Sequence, residues 1–136
     1  MNVTGILETV LYATDLDAVE QFYEEILGLE KLYRDPKRQV FFRCGNAMLL
    51  IFNPEETVKK SENAPLPVPA HGALGNGHVC FRASAVEIEQ WYNRLSAHGI
   101  EIESDFEWPN GGRSIYFRDP AGNSLEFAEP RIWGLE

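Results

Sequence analysis

Three residues that lie far apart in the sequence carry side chains suited to holding a metal ion. His78 follows a glycine-rich turn and begins the alternating segment HVCFRA, and Glu126 lies between two apolar residues in SLEF. Glu8 lies near the start of the chain, in ILETVLYA. A neutral imidazole with two carboxylates suits a divalent cation and leaves positions for water or substrate. These residues are the candidate ligands.

Each position also has an ordinary interpretation. A carboxylate on a strand is most often at an edge, in water, which applies to Glu8. A histidine after a glycine turn is usually at the surface or hydrogen-bonded, and Glu126 is compatible with an ion pair to Arg43 or Arg118. Burial would favour the metal interpretation, because an unpaired carboxylate in a desolvated position is costly unless it is paired or protonated.

Alternation predicts which side chains accompany the candidate ligands. In a strand, residues two apart share a face. His78 therefore lies with Cys80 and Arg82, and three apolar residues occupy the opposite face. By the same rule, Glu8 shares a face with Tyr12.

The chain contains an internal duplication. FYEEILGLE (22–30) is answered by WYNRLSAHGIE (91–101), and FRCGNAMLLIF (42–52) by FRDPAGNSLEF (117–127). The two echoes come in the same order with an offset of about 70 residues, and two copies are too few for a solenoid. We therefore predict two equivalent units, each with the element order β-α-β-β-β.

The boundaries of these elements follow from periodicity and turn signals. The first unit is predicted to contain strands at 6–13, 29–34, 39–43 and 47–52, and a helix that begins after an N-cap at Asp15 and ends at Gly28. The second is predicted to contain strands at 77–83, 100–107, 113–118 and 124–129, and a helix that begins with the capping box Ser84-Ala85-Val86-Glu87 and ends at Gly99. The second helix is expected to bury Val86, Ile88, Trp91, Tyr92 and Leu95 in part.

The domain organisation predicted from these units is a single α+β domain over residues 1–136. It consists of repeat 1 (about 4–54), a proline-rich linker (about 55–75) and repeat 2 (about 76–130). One face of each sheet must be covered by its helix. The other faces of the two curved mixed sheets are expected to form an open cleft, which is where a ligand site belongs.

Composition limits the function classes. The 136 residues are 44% hydrophobic, and the formal net charge of -9 argues against nucleic-acid binding, which needs a basic surface. No apolar run approaches the ~20 residues that span a membrane, and no signal peptide is visible, so cytoplasmic localisation without membrane binding is expected. In that compartment Cys44 and Cys80 are expected to be thiols. The acidity is typical of a soluble surface, with attraction of a cationic ligand as the alternative.

At these residues the sequence resembles the vicinal oxygen chelate superfamily, which includes glyoxalases, bleomycin-resistance proteins and extradiol dioxygenases. The resemblance covers about residues 6–130 and is carried by TVLYATDLDAVEQFYEEILGL, GHVCFRA and SIYFRDPAGNSLEF. It implies paired β-α-β-β-β units, usually assembled as a homodimer. It also implies one divalent metal ion per site (Mn, Fe, Ni or Zn), held by Glu8, His78 and Glu126. Glu8 stands where the family usually has His or Gln. Glu8 and Glu126 are the expected catalytic residues.

One departure from the family bears on the reaction. Glyoxalase I enzymes carry a second carboxylate at the end of the first unit, and that position here is about Ile51. Isoleucine can neither bind a metal nor move a proton. Lactoylglutathione lyase activity is therefore not expected.

Four further residues are candidates for substrate binding. Arg43 and Arg118 occupy equivalent places beside the Gly-Asn turns of the two repeats. They are expected to bind a substrate carboxylate or phosphate, to stabilise the turns or to form a surface ion pair. Tyr116 shares a face with Arg118 and is expected to act as a proton donor or to form a wall of the cleft. His71, on the linker, is a fourth ligand, an acid–base group, a lid contact or a solvated loop residue.

Two functions of different classes fit these features. The first is a glyoxalase-like metal-dependent enzyme, which acts on a small substrate that chelates the metal through neighbouring oxygens. Its reaction, of lyase, isomerase or dioxygenase type, is not resolved. The alternative is a metal-free drug- or ligand-binding protein of the bleomycin-resistance type.

Overall fold

The chain folds into two compact units, residues 1–76 and 77–136. The computed structural model describes residues 1–59 and 65–136. Each unit contains one four-stranded mixed sheet, and the element order is the same in both. The predicted duplication is confirmed, whereas the organisation as a single domain with the predicted repeat and linker bounds stays a prediction.

The strands of the first unit are β1 (Glu8–Tyr12), β2 (Glu30–Asp35), β3 (Gln39–Cys44) and β4 (Ala47–Phe52). Their order in the sheet is β1-β4-β3-β2, in which β1 runs parallel to β4 and the other pairs are antiparallel. Its helices are α1 (Leu16–Gln21), which continues as a π-helical turn (Phe22–Ile26), and α2 (Pro54–Thr57).

The strands of the second unit are β5 (His78–Arg82), β6 (Ser104–Glu107), β7 (Arg113–Arg118) and β8 (Ser124–Ala128). They repeat the topology of the first unit, with the strand order β5-β8-β7-β6. Helix α3 (Ala85–Ala97) follows β5, and a 3-10 turn (Pro130–Trp133) follows β8. Strand β5 is parallel to β8, as β1 is to β4.

The predicted helix starts are confirmed by their hydrogen bonds. The Asp15 carboxylate accepts from the backbone N–H of Ala18 at 3.1 Å. At α3, the Glu87 N–H donates to the Ser84 hydroxyl at 3.2 Å, and the Ser84 N–H donates to the Glu87 carboxylate at 2.7 Å. This reciprocal capping satisfies two backbone N–H groups that an uncapped helix would leave without partners.

The helix-facing side of each sheet forms the hydrophobic core. Its fully buried members in the first unit include Val19, Tyr23, Val40, Phe42 and Ile51. In the second unit they include Ile88, Leu95, Ile115, Phe117 and Leu125. Since alternate strand residues point to opposite faces, the opposite face of each sheet carries the candidate site residues.

Some boundary predictions are wrong. Strand β1 begins at Glu8 instead of residue 6, and β6 begins at Ser104 instead of residue 100. Val86, predicted to be partly buried, is 68% exposed, because it lies in the first turn of α3 away from the face of Ile88 and Leu95. The predicted linker bounds are not among these errors and stay a prediction: α2 overlaps the predicted start at about residue 55, and residues 60–64 lie outside the described residues.

No helix within residues 1–59 and 65–136 combines the length and apolar character needed to cross a membrane.

Candidate metal site

His78 and Glu126 meet on the open face of the second sheet. They lie on the parallel strands β5 and β8, where His78 pairs with Ser124 and Cys80 pairs with Glu126. The His78 Nε2 atom is 3.3 Å from Oε2 of Glu126. Glu126 is only 5% exposed, whereas the His78 side chain is half-exposed. The structure thus joins two of the three predicted ligands at one point.

The orientation of the imidazole is set by the backbone of β8. Nδ1 of His78 lies 3.0 Å from the Ser124 carbonyl oxygen. A carbonyl only accepts hydrogen bonds, so Nδ1 carries the proton and donates it, and in the neutral ring the Nε2 lone pair points towards Glu126. Metal-binding histidines are commonly oriented in this way, with the second nitrogen donating to a carbonyl or carboxylate.

A backbone clamp reinforces that orientation. The Gly77 N–H donates to the Asn123 side-chain oxygen at 2.8 Å, and the Ser124 N–H donates to the Gly77 carbonyl at 2.9 Å. Asp119 in turn accepts from the Asn123 N–H and side-chain amide. The turn before β8 therefore positions the start of β5, and with it His78.

The nitrogen and oxygen atoms of His78 and Glu126 are suited to binding a cation. In a neutral imidazole the Nε2 lone pair is an acceptor, as a carboxylate oxygen is, so the approach of these two atoms requires a proton or a metal ion between them. The second carboxylate oxygen, Oε1, is buried and has no hydrogen-bond partner among the described residues. A buried acceptor left without a partner carries a desolvation cost, which coordination of a cation would offset.

Cys80 and Tyr116 flank Glu126 as its register partners on β5 and β7. Burial and the neighbouring Glu126 carboxylate raise the pKa of the Cys80 thiol to about 12. The same two causes raise the pKa of the Tyr116 phenol to about 12. Both groups are therefore neutral near pH 7. Cys44 and Cys80 are free thiols, as expected.

A groove lies beside the His78–Glu126 pair, along β6 and β7. The Tyr116 ring stacks on His78, with ring centroids 6.2 Å apart, and on Phe106, with centroids 5.8 Å apart. The groove has a volume of about 260 Å³ and is lined by Glu103, Ser104, Phe106, Tyr116, Arg118 and Ser124. Two of the predicted substrate-binding residues, Tyr116 and Arg118, thus line the groove beside the His78–Glu126 pair.

Arg118 is engaged by a carboxylate that sequence reasoning missed. Its Nε donates to Oε2 of Glu103 at 2.7 Å, and its Nη2 donates to Oε1 at 3.1 Å. This pairing holds the pKa of Glu103 below its usual range. Glu103 precedes β6 and lies outside any recognisable motif, so only the cross-strand pairing brings it to Arg118.

Arg43 lies at the equivalent place in the first unit and pairs with a different carboxylate. Its Nε is 3.3 Å from Glu30 across strands β2 and β3, and both side chains are more than half exposed. Neither arginine is paired with Glu126 in the structure: Arg43 is paired with Glu30, and Arg118 with Glu103. The ion-pair interpretation of Glu126 is not supported.

Glu8 lies in the first unit, exposed at the start of edge strand β1. It pairs with Met48 of β4 as His78 pairs with Ser124 of β8, so Glu8 is the repeat counterpart of His78. Within residues 1–59 and 65–136, no three His, Cys, Asp or Glu side chains form a group able to hold a metal ion. Coordination by Glu8 stays a prediction.

The register also corrects the position of the missing carboxylate. Two residues beyond Met48 and Ser124, Leu50 and Glu126 are equivalent. The expected position, Ile51, is fully buried on the helix-facing side. The counterpart of Glu126 is therefore Leu50. Neither Leu50 nor Ile51 carries a carboxylate.

His71 packs on the open face of the first sheet. Its Nδ1 is 2.7 Å from the Tyr12 hydroxyl. Its ring meets the Phe52 ring edge-on, with ring centroids 4.6 Å apart, and its backbone N–H donates to the Thr57 carbonyl at 2.9 Å. These contacts exclude a freely solvated loop residue. Tyr12 is four residues along β1 from Glu8, which corresponds to about 13 Å of strand. His71 and Glu8 are thus at opposite ends of β1.

Comparisons with known proteins agree with this fold. The model of the Glyoxalase/Bleomycin resistance protein/Dioxygenase superfamily matches residues 5–127. The crystal structure of lactoylglutathione lyase from Agrobacterium tumefaciens is 47% identical, with a TM-score of 0.94, and the match covers 99% of this chain and 100% of that chain.

Two curated relatives are more distant. Fosfomycin resistance protein FosX from Listeria innocua is 24% identical over 124 residues, which are 86% of this chain and 83% of the relative. Metallothiol transferase FosB from Staphylococcus haemolyticus is 26% identical over 125 residues, 91% of this chain and 82% of the relative. The fold, the family match over most of its length and the 47% identical structure agree: this chain belongs to the Glyoxalase/Bleomycin resistance protein/Dioxygenase superfamily.

Proposed function

We propose that this protein is a metal-dependent enzyme of the superfamily, which acts on a small substrate through two neighbouring oxygen atoms. The carrying observation is the His78–Glu126 pair, in which a nitrogen lone pair and a buried carboxylate face each other at 3.3 Å. The names of the relatives support the enzyme class, since they describe a lactoylglutathione lyase and a metallothiol transferase.

The proposed ligands are His78, Glu126 and Glu8, with Glu8 supplied by the same chain or by a second copy in a homodimer. Two carboxylates and a neutral imidazole balance the charge of a divalent ion and suit Mn²⁺, Fe²⁺, Ni²⁺ or Zn²⁺. Such an ion supplies Lewis-acid polarisation of a pair of substrate oxygens.

The protein's own groups prepare this site. The Ser124 carbonyl holds the His78 tautomer, so the Nε2 lone pair is directed before any ligand arrives. Tyr116 stacks against His78 and covers one side. Glu8 and Glu126 are the proposed catalytic residues, because a carboxylate can exchange a proton with a bound substrate.

The proposal also concerns which reactions the enzyme catalyses. We include the fosfomycin and lactoylglutathione chemistries of the named relatives among the reactions to be tested. The apolar Leu50, at the repeat counterpart of Glu126, argues against lactoylglutathione lyase activity. Lyase, isomerase and dioxygenase reactions on vicinal-oxygen substrates remain the classes to screen.

Metal analysis tests the proposal directly. Protein purified without a histidine tag should contain, or take up on titration, one divalent ion per chain, and His78→Ala should abolish this binding. His98→Ala is the matched control, because His98 is exposed and its Nδ1 bonds to the Arg94 carbonyl beside the C-terminus of α3. Failure of the wild type to bind metal after reconstitution would favour the metal-free ligand-binding alternative.

Mixing two defective variants shows which chain supplies Glu8. If ligands come from two copies, a mixed dimer of Glu8→Ala and His78→Ala chains contains one intact site, and metal binding reappears on mixing. If all ligands come from one chain, mixing restores nothing. Light scattering of the same samples gives the oligomeric state, for which we expect a dimer.

A further inference from the structure

We propose that Glu103 determines the specificity of the groove beside the His78–Glu126 pair. Because Glu103 is paired with the guanidinium of Arg118, it keeps phosphonate, phosphate and carboxylate groups out of the groove. The substrate group that lies there is therefore neutral or cationic. The inference rests on the proposed function, because that function makes the groove part of a substrate site.

The groove is continuous with the candidate metal site. Tyr116 forms one wall and stacks on His78, and Ser124, which also lines the groove, provides the carbonyl that orients the imidazole. A substrate whose oxygens reach His78 and Glu126 thus places its remaining atoms along Tyr116 towards Arg118. Groups at the far end of the groove consequently act on substrate choice.

Arg118 is the positively charged member of the groove lining, which otherwise consists of two serines, two aromatic residues and Glu103. An anionic group entering the groove would use this guanidinium, because arginine binds phosphonates and carboxylates through two parallel N–H···O bonds. Among the described residues that line the groove, no other lysine or arginine is available to that anion.

Glu103 already occupies this geometry. The Nε and Nη2 groups of Arg118 donate to its two oxygens, and Nη1 donates to the Gly122 carbonyl at 3.0 Å. An incoming anion must displace the carboxylate and meet its repulsion. The overall charge of -9 adds to that repulsion.

The pair is a specificity feature more than a stability feature. Its side chains are 44% and 48% exposed, and exposed ion pairs contribute little to folding. Replacement of Glu103 is therefore expected to leave the fold intact while it releases Arg118. That separation makes the inference testable.

The test compares methylphosphonate binding by wild type and Glu103→Gln, followed by ³¹P NMR titration. Glu101→Gln is the matched control: it removes the same charge two residues earlier, from an exposed side chain. We expect Glu103→Gln to bind methylphosphonate at least about tenfold more tightly than wild type, because a free bidentate guanidinium becomes available. Glu101→Gln should bind like wild type, and adding Arg118→Met to Glu103→Gln should remove the gain.

Two results would overturn the inference: no gain in Glu103→Gln, or an equal gain in Glu101→Gln, which would reflect net charge alone. Titrations of both metal-free and Zn²⁺-loaded protein separate this inference from the proposed function. A gain in metal-free Glu103→Gln together with a wild type that binds no metal would support the role of Glu103 and reject the metal site. Stoichiometric metal binding by wild type without any gain in the methylphosphonate affinity of Glu103→Gln would support the metal site and reject the role of Glu103.

Discussion

The His78 Nε2 atom and the Glu126 Oε2 atom lie 3.3 Å apart on adjacent parallel strands. The Nδ1–H bond to Ser124 prevents the neutral ring from turning a donor towards the carboxylate without losing a partner. Glu126 is buried and its Oε1 has no hydrogen-bond partner among the described residues, so a bound cation would satisfy an acceptor that the metal-free protein leaves unsatisfied. If the proposed metal binds here, local stability and metal binding oppose each other at this point.

This opposition predicts that Glu126→Gln stabilises the metal-free protein while it abolishes metal binding. The glutamine amide can donate to Nε2, which replaces an acceptor–acceptor contact with a hydrogen bond. We expect a gain in unfolding free energy of about 1 to 3 kcal/mol at neutral pH. Urea unfolding of EDTA-treated protein measures it, and added metal should stabilise only the wild type.

Glu129→Gln is the matched control for that experiment. Glu129 is also a buried glutamate, directly after β8, but its carboxylate accepts from the Arg113 N–H at 2.7 Å and pairs with Arg131 at 3.1 Å. Its replacement should be neutral or destabilising. Destabilisation by Glu126→Gln of the same size as by Glu129→Gln would contradict the predicted site.

Substitutions of Glu8 test its place among the ligands. If Glu8 binds the metal, Glu8→Gln should weaken binding by about tenfold or more, since an ionic ligand becomes a neutral amide, while Glu8→His should retain or improve affinity. Competition with a chromophoric chelator measures both constants. Equal affinity in wild type and both variants would place Glu8 outside the metal's ligands.

The Tyr12–His71 hydrogen bond is predicted to hold the connecting segment on the first sheet without affecting metal affinity. Tyr12→Phe removes that bond and should lower the unfolding free energy by about 1 kcal/mol. Metal titration should be unchanged, because the pair lies at the opposite end of β1 from Glu8. Tyr33→Phe, at a half-exposed residue that stacks on Phe41, is the control. A loss of metal affinity in Tyr12→Phe would make His71 part of the metal site.

The capping box of α3 predicts a pH dependence of stability. Hydrogen bonds from Ser84 hold the pKa of Glu87 below its usual value. A carboxylate with a lowered pKa in the folded state stabilises fully above its unfolded pKa, about 4.3, and loses this effect as the pH falls through the folded value. Glu87→Gln keeps an acceptor but does not titrate.

The advantage of wild type over Glu87→Gln should therefore shrink as the pH falls from 7 to 3. Urea unfolding at a series of pH values measures the difference, with Glu101→Gln as a control that carries the same charge change outside the cap. A difference that stays constant with pH would show that Glu87 contributes no charge-dependent capping.

Much of the fold was accessible from the sequence because its signals are local. Alternation, the Asp15 and Ser84 caps and the glycine-ended helices each depend on a few neighbouring residues, and the structure bears them out. The β6 boundary failed because residues 100–103 carry strand-like apolar alternation without forming a described strand. The predicted burial of Val86 was wrong because helical spacing alone does not indicate which side of the first turn faces the sheet.

The duplicated β-α-β-β-β plan and the position of His78 and Cys80 on one face could be predicted, since repetition and period-two alternation are visible in the order of residues. Which residues pair across strands became known from the folded chain. That pairing joins His78 to Glu126, makes Leu50 and not Ile51 the counterpart of Glu126, and brings Glu103 to Arg118. The physical reason is that register depends on hydrogen bonds between segments distant in sequence, and a shift of one residue exchanges the two faces of a strand.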